Sequence, residues 1–516
     1  MQQPTTATTA QSTIRQIAIA ALLIAVGNIA SRVLGLVRES VIGANFGLSV
    51  DTFTVASAIP NQLYDLLISG AISAALVPVF SEYAEGDQRE FWHVASTIIN
   101  LALLVLASLA ALLALFAGPI VALTGSGFAV RGLSNEAEAM VRSLMPAVVL
   151  TGLSGLITAL LYARQKFLLP AFTTSAYNIG IIIGALFLTP WFGPFALVVG
   201  VLIGATFQVL LQLPGLRGAT YRLTLDLAHP GVRRILRLYA PVALGVGFST
   251  VGVLFDRNLA SQFTGAASAM RYATTLVQFP LGLVAAAVSF AVLPTLSRQS
   301  SAGDEAGFAA TFGMGMKVVL LLVLPATFML AALANPVVAA IFQRKNFSPE
   351  DVAVTAQALL LYLPGLPAAA IDQVLLFAVY AHKRTLMPNL VQGAAVVIYA
   401  VTALSLLAFT NLGFGALVIG NSAQWIGHLL ILALLSRNLV SLRGLRLGEA
   451  MFKCLLASMA LAAAAWGASQ LVQGPVVQVV CGGAVGALVY GSLCLLLRVE
   501  ALDFFVGALR RKVRRA

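Results

Sequence analysis

The stretch from Ile29 to Glu82 reads IASRVLGLVRESVIGANFGLSVDTFTVASAIPNQLYDLLISGAISAALVPVFSE, and it decides how the rest of the chain is interpreted. It contains two long apolar runs, each of a length that crosses a membrane as a helix. A charge at membrane depth costs at least about 2.5 kcal/mol, so it usually faces a cavity, a partner or a substrate. The runs nevertheless hold or border five charged residues: Arg32, Arg38, Glu39, Asp51 and Asp65. The stretch therefore predicts membrane helices that line a polar cavity.

Composition indicates the fold class. The chain has 516 residues, of which 59% are hydrophobic and 10% are charged, and its mean hydropathy is +0.94. Soluble domains carry about 25% charged residues. Apolar runs of about 20 residues recur from end to end, whereas transmembrane β-barrels show short alternating segments. We therefore predict an all-α polytopic membrane protein.

The apolar runs predict about 14 transmembrane helices. Their approximate bounds are 15–42, 52–80, 92–116, 139–163, 170–188, 193–213, 235–263, 267–297, 313–342, 352–380, 386–409, 413–436, 450–472 and 475–498.

The distribution of basic residues predicts the orientation. The formal net charge is +12, but the arginines and lysines concentrate in alternate loops, as a membrane orientation requires, so we expect no nucleic-acid partner. Both termini are predicted to be cytoplasmic. Residues 1–14 are polar and predicted to be disordered. The basic tail, residues 499–516, either contacts anionic lipid or only reflects this topology.

An internal repeat predicts two bundles of helices. LVRESVIGANFG…ALVPVFSEY near the start is echoed by LFDRNLASQFTG…AVLPTLSRQ, from Leu254 to Gln299. Transporters often consist of two such parallel halves with the substrate site at their interface. We accordingly predict an N-terminal lobe at 15–225 and a C-terminal lobe at 226–440. The last two spans, within 441–498, fall outside the repeat.

Arginines from equivalent spans of both halves lie toward the same predicted side of the membrane. Arg32 lies about 25 Å along the first span, past the midplane. A guanidinium stays protonated and binds phosphate oxygens in a two-pronged fork, which lysine cannot do. We predict that four arginines bind a pyrophosphate or another dianion: Arg32, Arg38, Arg257 and Arg271.

Acidic residues are the predicted charge partners of these arginines. Glu39, Asp51 and Asp256 would hold the arginines apart in an empty site and gate access to it. The alternative is that Arg38–Glu39 and Asp256–Arg257 are only ion pairs whose side chains extend to the membrane–water interface. Arg32 and Arg38 also lie about 120° apart around a straight helix, so they face one cavity only if the helix bends.

Two acids lie near the middle of predicted spans. Asp65 and Asp372 are each either a protonatable or sodium-binding carboxylate that couples transport, or a structural partner in a hydrogen-bond network between helices. The four histidines are scattered, and the sequence contains no phosphate-binding loop for ATP. We expect no enzymatic activity, no cofactor and no resident metal.

Several sequence blocks resemble the MurJ (MviN) lipid II flippases of the MOP exporter superfamily. They are SRVLGLVRE, DTFTVASAIPN, GAISAALVPVFSEY, VLFDRNLAS, FPLGLVAAAVSFAVLPTLS, IFQRKNFSPED and VYAHKRTLMP. The resemblance implies two six-helix lobes in a V, with the last two spans forming a groove for a polyprenyl tail. It also implies alternating access in the inner membrane that carries lipid II outward for peptidoglycan synthesis. Membrane lipids and the proteins of peptidoglycan synthesis and division are the implied partners.

The resemblance assigns roles at matching positions. Arg32 and Arg38 match arginines implicated in pyrophosphate recognition, Glu39 matches the adjoining acid, and Asp51 matches the acid that starts the second span. Other positions depart from the family pattern. Tyr64 and Asp65 replace an arginine pair, Ser69 replaces an acid, and Thr275 replaces an arginine whose role Arg271 would take. Tyr399 and Ala403 replace polar residues of a proposed sodium site.

The departures leave other functions open. The main prediction is a lipid II flippase, and the alternatives in transport are a flippase for another lipid-linked glycan or a drug exporter of the MATE type. A drug exporter for cations should carry acids and few arginines in its cavity, which argues against it. A non-transporting membrane scaffold is a further alternative. A glycosyltransferase would need an extramembrane domain or an acidic metal-binding motif, and the sequence shows neither.

Overall fold

The computed structural model describes residues 6–65, 72–382, 384, 386–437 and 445–502. Within these ranges every regular element is a helix. Ser69 and residues 503–516 of the predicted tail lie outside them. The predicted fold class, an all-helical membrane protein, is confirmed.

The chain divides into two compact units, Met1–Ala267 and Ser268–Ala516. The described part of unit 1 contains twelve α-helices. They are α1 Thr6–Phe46, α2 Asp51–Tyr64, α3 Val77–Ala84, α4 Gln88–Leu115, α5 Ala117–Thr124, α6 Gly127–Val130, α7 Ser134–Ala163, α8 Leu168–Ala171, α9 Thr173–Ile183, α10 Thr189–Phe192, α11 Phe195–Gln212 and α12 Pro230–Ser261. Helix α1 begins inside the segment for which the sequence predicts disorder.

The remaining helices belong to unit 2, apart from the first two residues of α13. They are α13 Ala266–Ala291, α14 Leu293–Ala302, α15 Glu305–Ala332, α16 Ala334–Phe342, α17 Pro349–Tyr362, α18 Gly365–Ala381, α19 Leu386–Phe409, α20 Gly415–Ser436, α21 Leu447–Gln470 and α22 Pro475–Leu496.

Helix α7 is the centre of unit 1, where it packs against α2, α4 and α11. Helix α11 also packs against α9, and α9 against α1. The α9–α11 contact depends on glycine, because a β-carbon on Gly180 would overlap the backbone of Gly204. Small residues let membrane helices approach this closely. The chain of contacts from α7 through α11 to α9 fixes the helix that faces α1.

In unit 2, α18 and α20 pack against each other, α15 packs against α18 and α21, and α21 pairs with α22. Helices α17 and α18 meet at a bend of 45°. The Tyr490 hydroxyl of α22 donates to the Leu321 carbonyl of α15 at 2.7 Å. The last two helices are therefore attached to unit 2 by side-chain contacts as well as by the chain.

Nine helices in the described part of the chain are long and apolar enough to cross a membrane, or ten if the bent pair α17–α18 is one span. The predicted count of 14 is therefore not confirmed. Helices α1, α2, α12 and α13, which carry most of the predicted site residues, are not among the nine.

Candidate functional site

Arg38 is the most firmly held of the predicted site residues. Its Nε donates to Oε1 of Glu39 at 2.9 Å, and one terminal nitrogen donates to the same oxygen. The other terminal nitrogen donates to Oδ1 of Asn178 on α9 at 2.9 Å. The Arg38 side chain is 23% exposed and that of Glu39 is 1% exposed. The guanidinium is thus oriented from two directions and still reaches the surface of unit 1.

Asn178 connects α9 to two turns of α1. Its amide nitrogen donates to the Ser31 carbonyl at 3.1 Å, while its oxygen accepts from Arg38. Asn178 itself is 3% exposed. Gly35 lies between these contacts, and a β-carbon there would meet the Asn178 amide at 3.8 Å. This face of α1 therefore packs on α9 and fixes the position of Arg38.

Arg32 is exposed on α1, next to exposed Val33. Helix α1 is continuous from Thr6 to Phe46, and the two arginines differ by about 120° around a straight helix. Arg38 thus lies beside α9, and Arg32 lies on an exposed part of α1.

Asp51 lies at the start of α2 and is 4% exposed. Its Oδ2 accepts from Arg131 at 3.1 Å and from the Gly265 backbone N–H at 2.7 Å. The Arg131 guanidinium also lies over the Phe128 ring, 5.0 Å from its centroid. Asp51 therefore links three segments of unit 1 that are far apart in the sequence: the start of α2, Arg131 after α6 and Gly265 after α12.

Asp256 and Arg257 form an ion pair at 3.7 Å near the end of α12, with side chains 13% and 20% exposed. The Arg257 Nε is buried and makes no hydrogen bond to the described residues. One turn further, Ser261 accepts from the Gly127 N–H at 3.0 Å, and Asn258 donates to the Leu123 carbonyl at 2.8 Å. The end of α12 that carries Arg257 is thus fixed on the segment α5–α6.

At the opposite end of unit 1, a loop is attached to α4. His93 Nε2 lies 3.1 Å from Oδ2 of Asp226, and the Asn100 amide donates to the carbonyls of Arg222 and Thr224. The hydrogen bond from His93 lowers the pKa of the Asp226 carboxyl below its usual range. These contacts fix the position of a basic loop. None of the predicted site residues takes part in them.

Arg271 lies on α13 and is half-buried. Its backbone carbonyl accepts from the Thr275 hydroxyl at 2.9 Å. Thr275 thus bonds within its own helix, one turn after the arginine that is predicted to act in its place.

Asp372 of α18 contacts a histidine of α20. His428 Nδ1 lies 2.9 Å from Asp372 Oδ1, and the two residues are 8% and 9% exposed. The structure therefore gives Asp372 a partner on another helix. Both interpretations of Asp372, the coupling carboxylate and the network partner, are compatible with this pair.

Asp65 and Tyr64 end helix α2, and Asp65 is exposed. Tyr399 and Ala403 of α19 are 1% and 0% exposed, and both face Gly420 of α20, where a β-carbon would lie 3.0 Å and 3.1 Å from them. Close packing against α20 therefore occupies the two positions where the family resemblance implies polar ligands.

Three partners were missed in the sequence: Asn178, Arg131 and His428. Asn178 and His428 are polar residues inside apolar runs, and that signal was available. Arg131 is one of the few basic residues in its set of loops. Nothing in the sequence shows which charged residue each of them contacts. The partners of Asn178, Arg131 and His428 lie 140, 80 and 56 positions away, respectively.

The chain matches known sequences over most of its length. The family model described as lipid II flippase MurJ matches residues 40–482. The probable lipid II flippase MurJ of Vibrio cholerae is 32% identical over 388 residues, which cover 71% of this chain and 73% of that protein. The lipid II flippase MurJ of Burkholderia cenocepacia is 30% identical over 407 residues, which cover 74% and 76%.

Solved structures share the fold. A lipid II flippase MurJ in an inward closed conformation superposes with a TM-score of 0.80 at 24% identity, covering 92% of this chain and 99% of that chain. An inward-facing multidrug resistance MATE family transporter of the MOP superfamily has a TM-score of 0.65 at 12% identity, covering 83% and 98%. The predicted MOP and MATE-like fold is confirmed.

Proposed function

Because this chain belongs to the lipid II flippase MurJ family, we propose that it moves lipid II from the inner to the outer leaflet of the cytoplasmic membrane. Lipid II is the undecaprenyl-pyrophosphate-linked precursor of peptidoglycan. The transport proceeds by alternating access, without a catalytic step and without a cofactor.

The observation that carries this proposal is the orientation of Arg38. A guanidinium has five N–H donors, and three of them bond Glu39 and Asn178. One N–H therefore remains on each terminal nitrogen, at a side chain that is 23% exposed. Two such donors in a fixed plane suit the oxygens of a pyrophosphate.

Two further arginines of unit 1 complete the proposed anion site. Arg32 is exposed on α1. Arg257 is the third proposed ligand, because its side chain is 20% exposed and its Nε makes no hydrogen bond to the described residues. Arg271, the remaining predicted ligand, lies in unit 2.

The acids are proposed to restrain the arginines while the site is empty. Glu39 and Asp256 each pair with the adjacent arginine in the chain. Asp51 would act indirectly, through its contacts to Arg131 and Gly265. Asp65 and Asp372 are proposed as gating or coupling carboxylates.

We also propose where the termini, the two lobes and the polyprenyl tail of the substrate lie. We place both termini in the cytoplasm, the lobes at 15–225 and 226–440, and the polyprenyl tail against the spans within 441–498. The positive-inside distribution of arginines and lysines supports the orientation. Proteins of peptidoglycan synthesis and division are the proposed partners.

The test is complementation of a strain depleted of its lipid II flippase, combined with labelling of lipid II in the outer leaflet. The unaltered chain should restore growth and outer-leaflet lipid II. Arg32→Ala and Arg38→Ala should insert normally and fail to rescue. Arg38→Lys should lose at least about tenfold in flipping rate, because a lysine lacks the fork and each charge-assisted hydrogen bond is worth about 1.5–3 kcal/mol.

Arg142→Ala is the matched control, since Arg142 is 53% exposed and its ion pair lies within its own helix. Its other contact is a long hydrogen bond of 3.3 Å to the Ala114 carbonyl of α4. It should rescue fully. Rescue by both Arg32→Ala and Arg38→Ala would refute the role of these arginines. An inserted but inactive unaltered chain would favour another lipid-linked glycan, the candidate that the departures at Tyr64 and Thr275 support.

A further inference from the structure

Asp372 and His428 form a buried pair that the proposed pyrophosphate site does not use. The imidazole Nδ1 lies 2.9 Å from the carboxylate Oδ1, on neighbouring helices α18 and α20. The side chains of Asp372 and His428 are 13% and 10% exposed. Both lie near the middle of their helices, in the apolar surroundings AAAIDQVLL and WIGHLLILA. Ionisable residues in such positions are rare in membrane proteins and commonly serve function.

Among the described residues, no hydrogen bond or ion pair links a second charged side chain to Asp372 or His428. Helix α15 contacts α18 at Gly315, where a β-carbon would lie 3.5 Å from Val374, and its Lys317 bonds Glu500 instead. Tyr380 lies about two turns after Asp372 on α18. The further ionisable groups on the helices packed against the pair are Arg298, Glu305, Glu350, Asp351, Tyr362, His382 and Tyr399.

Of these groups, Arg298 is exposed, and Glu350 and Asp351 lie in the first turn of α17. His382 bonds the Ala378 carbonyl at 2.9 Å. Tyr362 and Tyr399 pack on Trp425 and Gly420 of α20. The carboxylate and the imidazole are therefore each other's charge partner.

This arrangement has two charge states. With a neutral imidazole, the Nδ1–H donates to the carboxylate and the pair carries one negative charge. When Nε2 accepts a proton from a hydronium ion, an O–H bond of that ion breaks to leave water and a new N–H bond forms. The pair then becomes an imidazolium–carboxylate with no net charge.

We propose that Asp372 and His428 form a proton-binding site in unit 2, and that its occupancy is coupled to transport. The coupling part rests on the flippase function proposed above. Asp372 lies about two turns after the 45° bend between α17 and α18. On α20, Ser422 donates to the Leu361 carbonyl at that bend at 2.7 Å. Protonation strengthens the hydrogen bond between α20 and α18. Helix α18 begins at the bend, and a bend is where a helix can change its direction.

The first experiment measures proton binding directly. Nitrogen-15 histidine spectra of the purified full chain in nanodiscs would be recorded from about pH 5 to about pH 8, the range in which histidine normally titrates. The His428 signal is assigned by its loss in His428→Gln. If that chain does not fold, the other signals are assigned by His93→Gln, His229→Gln and His382→Gln. His428 should pass from a neutral to an imidazolium signal, with a displaced midpoint in Asp372→Asn. If His428 keeps one protonation state over the whole pH range, or if its midpoint is the same in Asp372→Asn, the proton site is overturned.

The second experiment measures coupling in liposomes whose membrane potential is clamped to zero. A gradient of about one pH unit should change the steady-state distribution of lipid II between leaflets by about tenfold per coupled proton. Asp372→Asn and His428→Gln should remove this dependence, whereas His382→Gln, at the residue that follows α18, should keep it. Flipping that ignores the gradient in the unaltered chain overturns the coupling. Absence of flipping in every chain overturns the proposed function instead, and the spectra alone then decide the proton site.

Discussion

An arginine on an apolar helix binds an anion well when its side chain is held in one orientation before the anion arrives. Arg38 meets this condition, since Glu39 and Asn178 hold its guanidinium from neighbouring positions on α1 and α9. Preorganised donors lose little freedom on binding, so more of their interaction energy appears as affinity. Asn178 is therefore as important to the proposed site as the acid next to the arginine.

The Asn178→Ala substitution tests this positioning role. It removes one hydrogen bond to a charged group, worth about 1.5–3 kcal/mol, and leaves the arginine in place. We expect at least about a tenfold loss in lipid II flipping, measured in liposomes. Asn135→Ala removes an exposed amide from the start of α7 and should leave the rate unchanged. An unchanged rate in Asn178→Ala would show that Arg38 does not depend on it.

Asp51 and Arg131 lead to a prediction about stability. Both side chains are largely buried, at 5% and 17% exposure. Breaking a buried pair by removing one partner costs about 3–5 kcal/mol, and Arg131→Ala should approach the lower end because the arginine is partly exposed. The measurement is thermal unfolding of the purified chain, read by tryptophan fluorescence.

A double-mutant cycle with Asp51→Asn isolates the pair, since the doubly altered chain should lose less than the sum of the two changes. Arg142→Ala breaks an exposed pair within one helix and should cost less than about 1 kcal/mol. Additive losses in the cycle would mean that the two residues contribute independently.

At the scale of helices, the position of α9 decides where Asn178 lies. Gly180 is one half-turn from Asn178 and allows α9 to touch the backbone of α11 at Gly204. Because α11 is in turn packed on α7, the arginine on α1 is positioned by the centre of unit 1. A change in the contact between Gly180 and Gly204 should therefore affect the Arg38 side chain, although neither glycine touches it.

Gly180→Ala should cost about 1–3 kcal/mol in stability, because an added methyl group in a closely packed contact forces the helices apart. It should also reduce flipping, in the same direction as Asn178→Ala. Gly247→Ala is the control, since a β-carbon on this helical glycine of α12 would meet nothing within 4 Å. Equal stability of the two alanine variants would contradict the close contact.

At the scale of the whole molecule, orientation can be tested with two exposed residues of unit 1. Leu223 lies in the loop before α12 and Val130 ends α6, and their exposures are 89% and 92%. The three native cysteines, Cys454, Cys481 and Cys494, are free, so they can be replaced by alanine first. Two single-cysteine chains, Leu223→Cys and Val130→Cys, then report the two sides.

A membrane-impermeant maleimide added to intact spheroplasts should label Val130→Cys at once and Leu223→Cys only after permeabilisation. The expectation follows from the arginine-rich loops on the predicted cytoplasmic side. The reverse pattern would invert the proposed orientation and, with it, the direction of transport. Labelling both after permeabilisation provides the control for reactivity.

The sequence by itself determined the class of fold and led to the prediction of an anion site. Its composition and repeated apolar runs require membrane helices, because no other abundant structure satisfies the backbone of such runs in lipid. It also singled out Arg32, Arg38 and Arg257, because charges in apolar surroundings stand out against their neighbours. These are local signals, carried by residues within one or two turns of each other.

Only the tertiary structure decided the pairing of those charges. Arg38 with Asn178, Asp51 with Arg131, and Asp372 with His428 are contacts between different helices. The helical period predicts which residues share a face of one helix, but not which helix that face meets or at what height. Close packing at positions such as Gly180 and Gly204 decides that. The physical reason is that register between helices depends on the shapes of two surfaces at once, and one segment of sequence specifies only one of them.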